Sequence, residues 1–174
     1  MTGDGSSPVS CCFYHLMELI QAATQEQIEA ARELFKEYAA GLAIDMCFQS
    51  FDHELQTLPG KYATPDGRLL LAYADDELAG CIALRKLDDR TCEMKRLFLR
   101  PAFRGRGYGR RMINDLVEQA RMIGYVRMRL DTLPGKMDAA IALYRELGFE
   151  DIPAYYDNPL EGAVYLERNL SDEL

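Results

Sequence analysis

Three stretches of the chain repeat apolar residues every three or four positions, which is the spacing of a helix with one buried face. The first is TQEQIEAARELFKEYAAGLA, where Thr24 and Gln27 form a capping-box pattern. The second begins at Gly107 and ends at Gly124, and the third is PGKMDAAIALYRELG. A shorter helix is predicted around CFQSFDHELQTL, because a Pro-Gly pair follows it.

Other stretches have the apolar runs that predict strands. A first strand is expected in FYHLMELIQAA and a later one in YVRMRLDT. Between them, RLLLAYADDELAGCIALRKLDDRTCEMKRLFLRP holds apolar runs split by DDE and DDRT, which are good hairpin connections. These runs predict an antiparallel meander that ends at Pro101. FEDIPAYYDNPLEGAVYLERNL supplies one or two final strands.

The elements follow the order β-α-α-β-β-β-α-β-α-β-β, which predicts an α+β fold with a mixed, mostly antiparallel sheet flanked by helices. At 174 residues, the chain suits one domain with a sizeable core. We expect this domain over residues 13–174 and a flexible lead-in over residues 1–12. No apolar run approaches the roughly 18–20 residues of a membrane span, and MTGDGSSPVS lacks the features of a secretory signal. The sequence therefore predicts no membrane partner.

The cysteines and histidines do not form a metal-site pattern. Five cysteines are an odd number without CxxC spacing, and the chain has only two histidines. We therefore expect no metal and reduced, buried thiols, as in a cytoplasmic protein. The formal net charge of −8 disfavours a nucleic-acid partner and fits a small cationic partner better.

One short stretch departs from this acidic balance. RPAFRGRGYGRRM, residues 100–112, holds five arginines and three glycines and joins a strand to the second amphipathic helix. The first N–H groups of a helix have no intrahelical partner, and glycines let the backbone approach an anion closely. The stretch therefore predicts a phosphate or pyrophosphate site. It is not a P-loop, a G-x-G-x-x-G loop or a repeated Arg-Gly-Gly tract, and a tight structural turn is the alternative.

The same stretch resembles a family signature. RGRGYG, from Arg104 to Gly109, matches the Q/R-x-x-G-x-G/A signature of the GNAT superfamily of acetyl-CoA-dependent N-acetyltransferases. About forty residues later, AIALYRELGF is similar to that family's late helix, which ends in L-Y-x-x-x-G-F. The element order is similar over about residues 15–170. One position departs from the pattern, because Met137 stands where the family often has Asn.

The resemblance implies a GNAT-like sheet that splits in a V between the strands at 92–100 and 126–132, with acetyl-CoA lying in the split. It implies that the backbone of Leu97, Phe98 and Leu99 pairs with the pantetheine arm. It also implies that the pyrophosphate is held by the loop and the first helical turn, namely Arg104, Gly105, Arg106, Gly107, Tyr108, Gly109 and Arg110.

Acetyl transfer to an amine needs a proton acceptor, because an alkyl amine of pKa about 10.4 is neutral in about one molecule in a thousand at pH 7. Glu93 is the candidate, since it lies six residues before Leu99, at the spacing of the family's strand glutamate base. The alternative is a surface carboxylate or one that is only ion-paired, for example to Lys95 or Arg96. By resemblance, Tyr144 donates a proton to the leaving thiol, although it also fits the apolar stripe as a core tyrosine.

The remaining catalytic expectations concern the backbone and the route. A backbone N–H at Phe98 or Leu99 is expected to stabilise the thioester oxygen, especially beside a bulge. We expect direct attack in a ternary complex, because no cysteine stands in a convincing nucleophile motif. Cys92 adjoins Glu93 but faces the other side of the strand.

The acceptor is expected between the first helices, the PGKYATPDG loop and the last strands. The candidates there are Asp52, Glu54, Tyr62, Tyr155, Tyr156 and Asn158, each of which could equally be a solvated surface residue. The leading interpretation is acetylation of a small-molecule primary amine. The alternatives are acetylation of a protein or peptide amine, a non-catalytic acyl-CoA sensor and an arginine-rich nucleic-acid binder. Because GNAT proteins are often dimers, a homodimer is one option.

Overall fold

The computed structural model describes residues 17–43 and 50–171 and places them in a seven-stranded sheet with helices on both faces. The strands are β1 (Met17–Gln21), β2 (Arg68–Ala74), β3 (Glu77–Lys86), β4 (Thr91–Leu99), β5 (Arg127–Thr132), β6 (Glu150–Ile152) and β7 (Val164–Asn169). The helices are α1 (Gln25–Leu42), α2 (Phe51–Thr57), α3 (Tyr108–Ile123) and α4 (Asp138–Glu146), with short 3₁₀ turns at Gly60–Tyr62 and Pro101–Phe103. The predicted order is confirmed over these residues, while the lead-in at 1–12 lies outside them.

The sheet runs β1-β2-β3-β4-β5-β7-β6 and is antiparallel except between β4 and β5. A parallel pair needs a crossover connection, and α3 supplies it. The mostly antiparallel sheet and the β2-β3-β4 meander are therefore confirmed. The last strand lies between β5 and β6, so Tyr165–Glu167 pair on both sides.

The turn between β2 and β3 shows how local chemistry positions the strands. Asp75 and Asp76 have φ angles of 53° and 64°. Two consecutive positive φ values are the mark of a type I′ turn, whose twist matches that of the strands it joins. Aspartate tolerates this left-handed conformation better than most residues. The predicted DDE hairpin is confirmed, with its two aspartates at the turn.

The start of α1 and the end of α3 have the capping residues that the sequence predicts. The Thr24 hydroxyl accepts a hydrogen bond from the Gln27 N–H at 3.2 Å, and the Gln27 side chain accepts one from the Thr24 N–H at 3.0 Å. Gly124 ends α3 in the left-handed conformation, with φ at 111°. Both signals in the sequence therefore define real helix ends.

Side chains of β2 and β3 alternate between two hydrophobic cores, one on each face of the sheet. Leu70 and Ile82 pack into the core beneath α3, while Leu69 and Leu71 pack into the core beneath α1. The buried stripe of α3 consists of Met112, Ile113, Leu116, Val117 and Ala120, and that of α1 includes Ile28, Ala31, Leu34 and Phe35. Because both faces are covered, a cleft within the sheet can open only where two strands separate.

The close approach of β3 to β4 gives a stability test. A Cβ on Gly80 would lie 2.1 Å from the Phe98 carbonyl oxygen. We expect Gly80→Ala to lower the free energy of unfolding by about 1–3 kcal/mol, measured by denaturant titration, because the backbone must shift. Gly41→Ala in α1 is the control, since its Cβ meets no described atom within 4 Å. This control should gain about 0.5–1 kcal/mol from helix propensity, and equal stability of the two variants would contradict the packing.

Candidate active site

The parallel strands β4 and β5 pair only at their beginnings. Thr91–Glu93 pair with Arg127–Arg129. Beyond Glu93, these two fully described strands share no further pairing. The predicted V-shaped split of the sheet is therefore confirmed. Glu93 is the last residue of β4 that pairs with β5 before the split.

A bulge in β4 follows directly. The pairing advances three residues along β4, from Lys95 to Phe98, for two residues along β3, so Arg96 and Leu97 share one place in the ladder. Arg96 has a φ of 57°, in the left-handed region, which costs a residue with a Cβ roughly 1–2 kcal/mol. A bulge was expected near Phe98, and it lies at the two residues just before it, Arg96 and Leu97. It sets Leu97 and the residues after it along one wall of the split.

The backbone of Leu99 faces the split. The Arg100 N–H donates to the Ala79 carbonyl of β3 at 2.9 Å. Successive strand residues present their backbone groups to opposite edges, so those of Leu99 point away from β3. The Leu99 carbonyl accepts a hydrogen bond from Nε of Arg104 at 2.8 Å. A free strand edge of this kind can pair with an extended, amide-bearing ligand.

Helix α3 begins beside this edge without a side-chain cap. Its N-cap residue Gly107 has a φ of 78°, and Gly105 has a φ of 73°, which glycine adopts at little cost. The backbone N–H groups of Tyr108, Gly109 and Arg110 occupy the first turn and have no intrahelical partner. Together with the helix dipole, they form a site suited to an anion.

A groove of about 690 Å³ joins the free edge of β4 to the start of α3, and the first residues of α4 form its other wall. Nine of the ten predicted cofactor-binding residues line it: Leu97, Phe98, Leu99, Arg104, Gly105, Gly107, Tyr108, Gly109 and Arg110. Arg106 does not line it, and its guanidinium lies 5.8 Å from the Phe103 ring centroid. Met137 lies in the groove wall.

Glu93 is fully buried where the two strands part. Its Oε2 is ion-paired with Nε of Arg85 on β3, and its Oε1 accepts a hydrogen bond from the Tyr155 hydroxyl at 2.7 Å. Its cationic partner is therefore neither Lys95 nor Arg96. Burial and the Glu93 charge raise the pKa of Tyr155 above its usual range. The carboxylate thus lies behind a protonated tyrosine hydroxyl.

Tyr144 lies in α4 and faces the split. It lines a small cavity of about 40 Å³ with Lys95, Leu97 and Asp131 among its neighbours, while its ring packs 5.9 Å from that of Phe149. Burial raises the pKa of Tyr144, so the hydroxyl stays protonated at neutral pH. That hydroxyl has no hydrogen-bond partner among the residues described. Tyr144 is therefore both a core residue and part of the cleft wall.

A second buried ion pair spans the split and was not among the sequence-based candidates. Nζ of Lys95 on β4 donates to Oδ1 of Asp131 on β5 at 2.9 Å. Oδ2 of Asp131 accepts hydrogen bonds from the Tyr156 hydroxyl at 2.8 Å and from the Asn158 amide at 3.3 Å. Burial acts to raise the pKa of Asp131, but the charge of Lys95 and the hydrogen bonds from Lys95 and Tyr156 together hold this pKa below the usual range. Asp131 therefore remains ionised.

The sequence does carry a signal for these pairs. Glu93 and Lys95 stand two apart in one predicted strand, and Arg129 and Asp131 stand two apart in another. Residues two apart share a face of a strand, so each strand presents opposite charges on one face. This pattern of charges does not show which strands are neighbours, and the neighbouring strands determine which charged residues pair.

Arg96, the residue with the strained backbone, is held by a carboxylate and aromatic rings. Its Nε and Nη2 bond to the two carboxylate oxygens of Glu54 in α2 at 3.0 and 2.5 Å. Its guanidinium carbon lies 5.2–6.0 Å from the ring centroids of Phe35, Tyr38 and Phe51. Burial acts to raise the pKa of Glu54, but the hydrogen bonds and charge of Arg96 hold it below its usual range. This contact ties α1 and α2 to the bulge.

Two cavities lie beside these ion pairs. One, of about 320 Å³, is formed by α2 and the turn after it, and the other, of about 200 Å³, is formed by β3, β4 and the loop before β7. Arg85 and Glu54 line both cavities. Lys95 and Arg96 of β4 line the second cavity, which therefore lies beside the split.

The predicted acceptor residues divide into three groups. Glu54, Tyr62 and Tyr156 line the two cavities. Tyr155 and Asn158 donate hydrogen bonds to the cleft carboxylates. Asp52 is exposed and lines none of the cavities described, so the structure does not bring it to the site.

Other chemistries find little support in the described part of the chain. Burial raises the pKa of the Cys92 thiol to about 12, which disfavours a thiolate nucleophile. Residues 17–43 and 50–171 contain no group of three His, Cys, Asp or Glu side chains that could hold a metal ion. None of the described helices is long and apolar enough to cross a membrane.

Comparisons with known proteins agree with this geometry. The sequence model of the acetyltransferase (GNAT) family matches residues 28–149. An uncharacterized N-acetyltransferase of Schizosaccharomyces pombe is 33% identical over 148 residues, covering 84% of this chain and 90% of that protein. An acetyltransferase of Streptococcus agalactiae has the same fold, with a TM-score of 0.72 at 23% identity over 88% of this chain and 98% of that one. The yncA protein of Salmonella typhimurium, solved with its cofactor acetyl-CoA, has a TM-score of 0.66 at 18% identity over 91% and 96% of the two chains.

The helix end gives a binding test with an internal control. Gly107 and Gly124 stand at opposite ends of α3, both with positive φ and with no described atom within 4 Å of an added Cβ. Alanine at either position costs roughly 1–2 kcal/mol of stability through backbone strain. Only Gly107→Ala should weaken acetyl-CoA binding in calorimetry, by about fivefold or more, because it reshapes the uncapped turn. Equal affinities of the two variants would contradict an anion site at this end.

Proposed function

The chain belongs to the GNAT family of acetyltransferases and is an acetyl-CoA-dependent acyltransferase, and we propose that it acetylates the primary amine of a small molecule. The observation that carries this proposal is the split between β4 and β5. It joins an uncapped helix end and a free strand edge to a buried carboxylate and a buried tyrosine. Both substrates would occupy the split together, so that the amine attacks directly in a ternary complex.

We propose that acetyl-CoA, which supplies the acetyl group as a thioester when bound, lies in the groove of about 690 Å³. We propose that the backbone of Leu97–Leu99 holds the pantetheine arm and that the N–H groups between Arg104 and Arg110 hold the pyrophosphate. Supporting this, the strand edge is free and the helix end has no cap. Met137 replaces an amide with an apolar, flexible side chain in the groove wall. The anion site does not depend on that residue.

Glu93 would receive the proton that the amine must lose. Because Glu93 is fully buried and bonded to the Tyr155 hydroxyl, the proton would pass to the tyrosine oxygen while the tyrosine proton passes to Glu93 Oε1. Arg85 holds the carboxylate in place on its other oxygen. Making an amine neutral at pH 7 is worth about 4–5 kcal/mol, which is the scale of this contribution.

Glu93→Gln keeps the size of the side chain and removes its basicity. We expect kcat at pH 7 to fall by about 10²–10⁴, the usual range for a lost general base. The deficit should shrink towards pH 10, because the acceptor amine then loses its proton unaided. The measurement is a pH profile of thiol release for the variant and the wild type.

Glu167→Gln is the matched control for this variant. Glu167 is ion-paired with Arg129 at 2.6 Å on β7, outside the cavities. It should lose stability without a pH-dependent deficit in rate. A Glu93→Gln deficit that stays constant from pH 7 to 10 would show that Glu93 is only the partner of Arg85.

Tyr144 would donate its hydroxyl proton to the thiolate that leaves when the carbon–sulfur bond breaks. Its raised pKa keeps the hydroxyl protonated, and the hydroxyl is not committed to another described side chain. A backbone N–H of Leu99 on the free edge would stabilise the oxygen of the thioester. Leu99 lines the groove, and Tyr144 lines the adjoining small cavity together with Leu97, Lys95 and Asp131.

Tyr144→Phe removes one oxygen from a buried ring. We expect kcat to fall by about tenfold to 10³-fold, with acetyl-CoA affinity within twofold of wild type, because the hydroxyl acts on the leaving group. Tyr73→Phe on β2, remote from the cavities, controls for the loss of a hydroxyl. Wild-type turnover in Tyr144→Phe would remove Tyr144 from the mechanism.

A small acceptor is proposed because the acceptor-side space is divided into two cavities of about 200 and 320 Å³, which suits a small molecule. The test is thiol release from acetyl-CoA against polyamines, amino acids, aminoglycosides and lysine peptides. Turnover with peptides alone would favour the protein-directed alternative, and tight acetyl-CoA binding without turnover would favour the sensor. A cytoplasmic location and a homodimer stay predictions from the sequence.

A further inference from the structure

Arg85 is the cation best placed to meet an acceptor. Its Nε is taken by Glu93, and its two terminal nitrogens make no hydrogen bond to any residue that the structure describes. The Arg85 side chain is 28% exposed and lines both acceptor-side cavities. By contrast, Lys95 is 7% exposed and occupied by Asp131. A guanidinium with two free, accessible nitrogens is a ready partner for a carboxylate.

The charges around the two cavities are balanced. The cavity walls carry Lys61, Arg85, Lys95 and Arg96 as cations and Glu54 and Asp157 as anions. Behind them lie Glu93 and Asp131, paired with Arg85 and Lys95. Four cations therefore meet four carboxylates, although the whole chain has a net charge of −8. A polycationic acceptor would meet no excess of negative charge here, whereas a zwitterion can pair with both the cations and the carboxylates.

The two signs are also close together. Arg85 and Tyr155 bind the two oxygens of one carboxylate, that of Glu93. In the proposed function, Tyr155 takes the proton of the amine. An acceptor whose amine contacts Tyr155 therefore has the Arg85 guanidinium only a few bond lengths from that amine. The group that Arg85 would bind must be attached close to the reacting nitrogen.

We propose that the acceptor is a small free amino acid, with its carboxylate bound by the terminal nitrogens of Arg85 and its amine directed to Tyr155 and Glu93. This proposal rests on the proposed function. The nitrogen forms a bond to the acetyl carbon, the carbon–sulfur bond breaks, and the proton lost by the amine passes through Tyr155 to Glu93. Arg85 contributes binding only, so its carboxylate contact discriminates between acceptors.

The test compares each acceptor with its own carboxamide. Thiol release from acetyl-CoA is followed with the twenty amino acids, their carboxamides, putrescine and spermidine. At least one free amino acid should show a kcat/KM tenfold or more above that of its amide. The amide's amine is the less basic of the two, so this bias acts against the expected result.

Arg85→Lys keeps the charge beside Glu93 and removes the second nitrogen of the fork. It should reduce the acid-to-amide ratio of kcat/KM to within about threefold, and because both acceptors are measured with the same variant, any loss of rate through Glu93 cancels in this ratio. Arg121→Lys on α3 is the control, because Arg121 has a similar exposure of 29%, is also ion-paired and lines none of the cavities described. Its ratio should equal that of the wild type.

The outcomes separate this inference from the proposed function. Amides or polyamines that are acetylated as well as the free amino acids would overturn the amino-acid acceptor and leave small-amine acetylation standing. An unchanged ratio in Arg85→Lys would remove Arg85 as the carboxylate site. No turnover with any small amine would overturn both proposals. The wild-type comparison decides the acceptor class even where Arg85→Lys is unstable.

Discussion

The contact between Arg96 and Glu54 is the constraint on which the site depends. Arg96 holds a left-handed backbone conformation within β4 without being glycine, at a cost of roughly 1–2 kcal/mol. The fold offsets that cost with two charge-assisted hydrogen bonds to Glu54 and with the rings of Phe35, Tyr38 and Phe51. The bulge lies at Arg96 and Leu97, just beyond Glu93, where the pairing of β4 with β5 ends and the cleft begins.

Two different environments meet at the bulge. On one side, the free edge of β4 leads to the uncapped start of α3, where backbone N–H groups offer positive partial charge without a titratable side chain. On the other side, Glu93 and Asp131 are buried with Arg85 and Lys95 as partners. The anionic end of a cofactor and the reacting amine therefore face separate electrostatic conditions only a few residues of β4 apart.

Much of this architecture could be predicted from local sequence. The capping box at Thr24, the DDE turn and the glycines at 105 and 107 each require a specific backbone geometry, and the structure has it. The split between β4 and β5 followed from family resemblance. The residues around Arg85 could not be predicted in this way, because its pairing with Glu93 depends on the register of β3 against β4. The position of the bulge, at Arg96 rather than beside Phe98, could not be predicted either, since no glycine marks it.

Net charge was a poor guide to the site. An overall charge of −8 favoured a cationic partner, whereas the four cations of the cavity walls are matched by two carboxylates in the walls and two behind them. Charges on the solvated surface dominate the total, and the few that decide recognition lie where strands separate. The alternation of charges in EMKRLFL and RMRLDT is the local feature that does report them.

Residue-resolved amide hydrogen exchange, with and without saturating acetyl-CoA, shows whether a cofactor lies along the free edge of β4 and on the start of α3. We expect exchange of the Leu99 amide and of the amides at 105–110 to slow by about tenfold or more on binding, while amides in β2 keep their rates. Slowing confined to α2 and the turn after it, with unchanged rates at 105–110, would show that the cofactor does not bind at the start of α3.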